Sequence, residues 1–238
     1  MRAAILIIGS LLWDNGSRDA WRKSHLRIHD GVHVKAPIRY GRRSSSRGDT
    51  FTMTFSLGDA LGQAMLVPSI AVIGNVATLL AEATALWKAE QATAEAHRIG
   101  AAWGCVGVAF RTDALRAEYA AAWHDNFVLN AAAVWPVSAD GILQIPWPVT
   151  LTGQRSDVDI ILSTATQLAK SPPTAIHVAD AWINQHEAHE RYFFENVRRG
   201  IRTPDDVLIW KRIEECAPRW LTNKEYADAI SRLRADAA

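Results

Sequence analysis

The run Ala3-Ala4-Ile5-Leu6-Ile7-Ile8-Gly9-Ser10-Leu11-Leu12-Trp13 decides how the fold begins. Its first six residues are apolar, rich in isoleucine, and halted by Gly-Ser. That pattern predicts a buried strand over residues 3–8, running into a tight turn rather than a helix. Arg2 ahead of the run imitates a secretion signal. The residues that follow are Trp13-Asp14-Asn15, without a small-residue cleavage site, so the expectation is a cytoplasmic protein.

Further strands are predicted around this first one. Residues 33–40 hold Pro37 and read as an edge or irregular strand. Residues 50–56 (TFTMTFS) alternate Thr with Phe and Met, as a half-buried strand does. Residues 62–68 and 103–111 are strand candidates, and residues 130–137 and 142–147 could pair as a hairpin across Asp140-Gly141. Residues 76–99, rich in Ala, Leu and Glu and followed by Gly100, predict one long helix, and residues 113–124 another. Beyond the Ser171-Pro172-Pro173-Thr174 break, residues 178–199 predict a helix closed by Gly200. Thr203 followed by Pro204 suggests the start of the next helix, and Thr222 with Glu225 a capping box for the last. Strands, helix, strands and then helices make an α+β chain: a mixed β-barrel or sheet core with flanking helices over residues 1–150, and a helical C-terminal extension over 151–238.

Composition narrows the functions. Hydrophobic residues make up 49% of the 238, enough for a packed core. A net charge of +1 gives no reason to expect nucleic acid or a membrane surface as partner. Nine Lys/Arg against two Asp between residues 18 and 47 could nevertheless attract a small anion, or form an ordinary solvated face. Cys105 and Cys216 match neither a zinc pattern nor a disulfide framework. The ten tryptophans are scattered without period and suit core or interface anchors.

One acid stands out on the predicted helix. Leu79, Ala83 and Leu86 share a stripe, and Glu90, eleven residues after Leu79, falls about 20° from it. A carboxylate on an apolar stripe must be hydrogen-bonded, ligated or used. The plainer alternative is that the stripe has reached solvent there, or that Glu90 pairs with an arginine. Gly9-Ser10 at a strand end could present backbone amides to a carboxylate or carbonyl oxygen. The loop Arg42-Arg43-Ser44-Ser45-Ser46-Arg47-Gly48 has guanidinium and hydroxyl groups suited to an anion.

Taken together, these pieces resemble the ChaC-type γ-glutamylcyclotransferases. Ile7-Ile8-Gly9-Ser10-Leu11-Leu12-Trp13-Asp14 is similar to that family's strand and Tyr-Gly-Ser-Leu-x-Trp segment. Arg43 to Gly48 resembles its Ser-Ser/Thr…His-Arg-Gly loop, and Leu86-Trp87-Lys88-Ala89-Glu90 its Leu-Asp-x-x-Glu. Ile8 stands where the family has tyrosine, Trp87 where it has aspartate and Ser46 where it has histidine. The resemblance covers mainly residues 3–111. It implies cyclisation of a γ-glutamyl group of a small peptide or amine, glutathione included, to 5-oxoproline. Glu90 would be the general base, and Gly9, Ser10, Leu11, Trp13, Arg43, Ser45 and Arg47 would bind substrate, without metal or organic cofactor. Homodimer formation is left open. Two other readings stand beside it: a non-catalytic small-anion-binding protein on the same fold, motivated by Ile8 and Trp87, and a metal-dependent hydrolase using His186 and His189.

Overall fold

The computed structural model describes residues 1–44, 48, 50–130, 134–185 and 187–238. The chain divides into two compact units, Met1–Ala36 with Ala64–Gln167, and Pro37–Gln63 with Leu168–Ala238.

The first unit is built on β1 (Arg2–Ile7), whose run of Ile and Leu is buried from Ala3 onward. Continuous burial marks a strand covered on both faces. It pairs in parallel with β9 (Ile160–Thr166) and antiparallel with β5 (Gly62–Val72). Adding β2 (Val32–Ala36), β6 (Gly100–Ala101), β7 (Gly104–Phe110) and β8 (Val149–Thr150) gives a seven-stranded mixed sheet in the order β6-β7-β9-β1-β5-β2-β8. The α+β class is as expected; among the described residues the sheet is open, not a closed barrel.

Three helices belong to this unit. α1 (Ser17–His25) packs on α2 (Val76–Glu90), and α2 and α3 (Asp113–Asn130) pack against β7. The Asn75 side chain caps α2 by accepting from the Thr78 amide at 3.0 Å. The helix stops at Glu90, well short of residue 99. Tertiary packing overrides the alanine-rich propensity here: Trp103, in the β6–β7 turn, stacks on Trp87 with ring centroids 4.7 Å apart. Its indole donates to Gln91 Oε1 at 3.1 Å, so the chain turns back directly after Glu90. Of the hairpin expected over 130–147, a short antiparallel piece forms among the described residues: the Val137–Leu143 bridge, with the Ser138 amide donating to the Ile142 carbonyl at 2.9 Å and the Gln144 amide to the Pro136 carbonyl at 2.7 Å, around Gly141, whose φ of 81° carries the turn. Asn130 belongs to α3, and residues 131–133 lie outside the described set.

In the second unit, β3 (Ile38–Ser44) and β4 (Thr50–Phe55) form an antiparallel pair, Pro37 separating β2 from β3. β4 is buried throughout rather than on alternate residues. Its second face is covered by α4 (Ala175–Ile183): the Trp182 indole donates to the Phe51 carbonyl at 2.9 Å. The expected long helix over 178–199 is two helices, α4 and α5 (Glu187–Arg198), followed by α6 (Asp206–Cys216) and α7 (Ala227–Ala237). Thr203 does not cap α6. Its hydroxyl donates to the buried Asp206 carboxylate, which also accepts from Arg202 Nε at 2.7 Å. Nor does Thr222 form a capping box; Asn223 accepts from the Glu225 amide in its place.

This division differs from a boundary at residue 150. Residues 160–166 are an inner strand of the sheet, and residues 37–63 group with the C-terminal helices. Among the described residues no helix is long and apolar enough to cross a membrane.

Candidate functional site

Past the end of β1 the chain makes a one-turn 3-10 helix, Ser10–Leu12, with the Leu12 amide donating to the Gly9 carbonyl at 3.0 Å. Gly9 is buried, and its φ of −175° is ordinary extended backbone. Trp13 and Asp14 close the turn by donating to the Ser10 carbonyl at 3.1 and 2.8 Å. The amides of Gly9, Ser10 and Leu11 precede the first turn bond, and among the described residues nothing accepts from them. Leu11, Leu12 and Trp13 point inward and are buried.

Two arginines of α1 grip this turn. They are four residues apart and so lie on one helix face. Arg22, itself buried, donates to the carbonyls of Leu11 and Asp14, both at 2.7 Å. Arg18 sits one turn earlier and gathers three groups. Its Nη1 donates to the Ser10 hydroxyl at 2.8 Å and to Asp14 Oδ2 at 2.9 Å, and its Nη2 to Glu90 Oε2 at 2.8 Å. Glu90, the last residue of α2, therefore meets the Ser10 turn through one guanidinium. Its side chain is 15% exposed. The plainer sequence alternative, an arginine partner near the helix end, describes its immediate contact.

A second carboxylate of α2 is more deeply placed. Glu82 accepts from the Ser69 hydroxyl on β5 at 2.9 Å and lies 3.1 Å from His25 Nδ1 at the end of α1. Helical arithmetic reaches it too: it is three residues after Leu79 and four before Leu86, on the flank of the same stripe. The sequence carries that signal, and the i,i+4 spacing of Arg18 and Arg22 besides, but neither names the partner across the interior.

The remaining expected residues fall elsewhere. Arg43 is on β3 in the second unit, exposed, with its guanidinium 5.1 Å from the Phe51 ring centre. Ser45 and Arg47 lie outside the described residues, as does His186. His189 is buried and stacks on Trp182. Among the described residues no three His, Cys, Asp or Glu side chains come together as a metal site. Cys105 is buried on β7, and burial pushes its thiol up to about 12, which keeps it protonated and poorly nucleophilic at neutral pH.

Chemically, the cluster offers a carboxylate with one oxygen held and the other without a partner among the described residues, a partly exposed guanidinium, and three adjacent amides. Compared with family models, curated proteins and solved structures, the chain matches none.

Proposed function

We propose that the chain is a cytoplasmic γ-glutamylcyclotransferase-like enzyme, on the corresponding fold, converting the γ-glutamyl group of a small peptide or amine to 5-oxoproline. The observation that supports this reading is the meeting of Glu90 and Ser10 on Arg18: two sequence pieces 80 residues apart that carry the family resemblance share one polar cluster.

The reaction is intramolecular. The α-ammonium of the γ-glutamyl group gives a proton to Glu90 Oε1, and the freed amine attacks its own γ-carbonyl carbon. The amides of Gly9, Ser10 and Leu11 are the donors suited to the developing oxyanion. The C–N bond to the departing amine then breaks, and Glu90 returns the proton to that nitrogen. The attacking nitrogen gives up two protons in all and the departing one gains two, so the amine leaves as an ammonium and no water is consumed. Holding the substrate bent into a five-membered ring supplies a large part of the rate. Release of 5-oxoproline from glutathione or γ-glutamyl amines, abolished in Glu90→Gln, is the expected result; no turnover across a broad γ-glutamyl panel rejects the reading.

The ion pair between Glu90 and Arg18 favours a second reading, a small-anion-binding protein without turnover. Thermal stabilisation by γ-glutamyl compounds with no product formed would select it.

A further inference from the structure

Arg18 carries more donors than its neighbours use. A guanidinium offers five N–H groups in a planar fork. Three are spent, on Ser10, Asp14 and Glu90. The other two, one on Nη2 and one on Nε, have no acceptor among the described residues. The side chain is 20% exposed, and its unpartnered Nε is not cut off from solvent, so a ligand arriving from outside can reach it. Beside them, Glu90 Oε1 is an acceptor without a partner among the described residues. An open cationic donor pair and an open anionic acceptor therefore lie side by side, joined by the 2.8 Å Arg18–Glu90 contact.

The charge balance indicates what fits. One guanidinium already faces two carboxylates, Asp14 and Glu90, so a bare anion would meet both negative charges. A zwitterion would not. Its carboxylate can take the Arg18 donors while its ammonium takes Glu90 Oε1, adding no net charge to the cluster. We propose that Arg18 and Glu90 together read an α-amino-acid head group, with Arg18 as the specificity-determining residue for the α-carboxylate. The assignment of the ligand as a γ-glutamyl compound rests on the cyclotransferase reading; the recognition of the head group does not. Arg suits this role where Lys would not, because only a fork can hold Glu90 and a second carboxylate in one plane. Arg22 contributes by fixing the Leu11 and Asp14 carbonyls, which holds the turn that Arg18 reaches.

The test is a cycle between side chains and ligand groups, read as binding by calorimetry. The probes are L-glutamine, the same molecule without its carboxylate (4-aminobutanamide) and the same molecule without its ammonium (glutaramate). Wild-type protein should prefer glutamine to either truncated probe by about tenfold to a hundredfold, the worth of a charge-assisted hydrogen bond. Arg18→Met should erase the preference over 4-aminobutanamide and keep that over glutaramate; Glu90→Gln should do the reverse. Arg18→Lys, which keeps the charge and tolerates the fold more readily, should lose part of the carboxylate preference. Parallel weakening of all three probes in Arg18→Met and Arg18→Lys makes Arg18 a structural brace and overturns the proposal, as does failure of wild type to prefer glutamine. The cycle needs no turnover. If it holds while no γ-glutamyl compound yields 5-oxoproline, the cyclotransferase reading alone falls; turnover without the cycle removes only the role of Arg18.

Discussion

Helix α2 carries two inward carboxylates that meet opposite fates. Glu82, in its first half, has both oxygens engaged, by Ser69 and His25, and its side chain is 8% exposed. Glu90, at its end, has one oxygen engaged by Arg18 and sits at 15% exposure. Both answer the demand that a buried carboxylate be partnered. Glu82 answers it fully and so contributes to holding α1, α2 and β5 together. Glu90 answers it halfway, which leaves an acceptor for something outside the chain. Burial alone is thus a poor guide to use; the count of engaged oxygens separates the two.

The comparison breaks first on activity. Glu90→Gln should lower turnover of a γ-glutamyl substrate by about a hundredfold to ten-thousandfold, the usual contribution of a general base. The same variant should stay within about 1 kcal/mol of wild-type stability in urea titration, since a partly exposed ion pair contributes little. A stability loss as large as that of a Glu82 variant would mean that both glutamates are structural. Next in size, Glu82→Ala should destabilise by about 2 kcal/mol, because the buried Ser69 hydroxyl loses its acceptor. His25→Gln should cost about 1 kcal/mol or less, since the His25 side chain is 32% exposed, and it should leave turnover unchanged. Denaturation midpoints of the two variants, measured together with initial rates, check both statements.

The smallest effect sharpens the scale with a third carboxylate. Asp157 is 71% exposed, and hydrogen bonds first from Arg2 and then from Arg111 hold its carboxyl below the usual carboxylate range. A depressed folded value means that its stabilisation is present above the unfolded value near 3.8 and fades as pH falls through the folded one. Asp157→Asn should therefore leave the acid limb of stability, below about pH 4, slightly flatter and change little else. An unchanged acid limb would show that solvent screening has cancelled the two arginines.

Much of the frame was legible locally. The apolar run ending in Gly9-Ser10 became β1 and its turn, and the stripe through Leu79, Ala83 and Leu86 became the buried face of α2. The end of that helix was not legible. Residues 91–99 have composition as favourable to a helix as those before them, but Trp103 holds Gln91 and stacks on Trp87, and the chain turns back. The same limit hid the engaged state of Glu90. Its position on the stripe follows from residues a few places away; its partner comes from residue 18.

Sequence by itself determined the buried run of β1 and the inward stripe of α2, because such patterns repeat over neighbouring residues, but not that β4 is covered on both faces. Only the tertiary structure decided who meets whom across that interior: Arg18 with Glu90 and Ser10, Ser69 and His25 with Glu82, and residues 37–63 with the C-terminal helices rather than the sheet. Such pairings join residues as far apart as 131 positions, as in the Trp182–Phe51 bond, and no local pattern encodes them. They follow from how whole elements dock, which depends on the shape and polarity of every face at once.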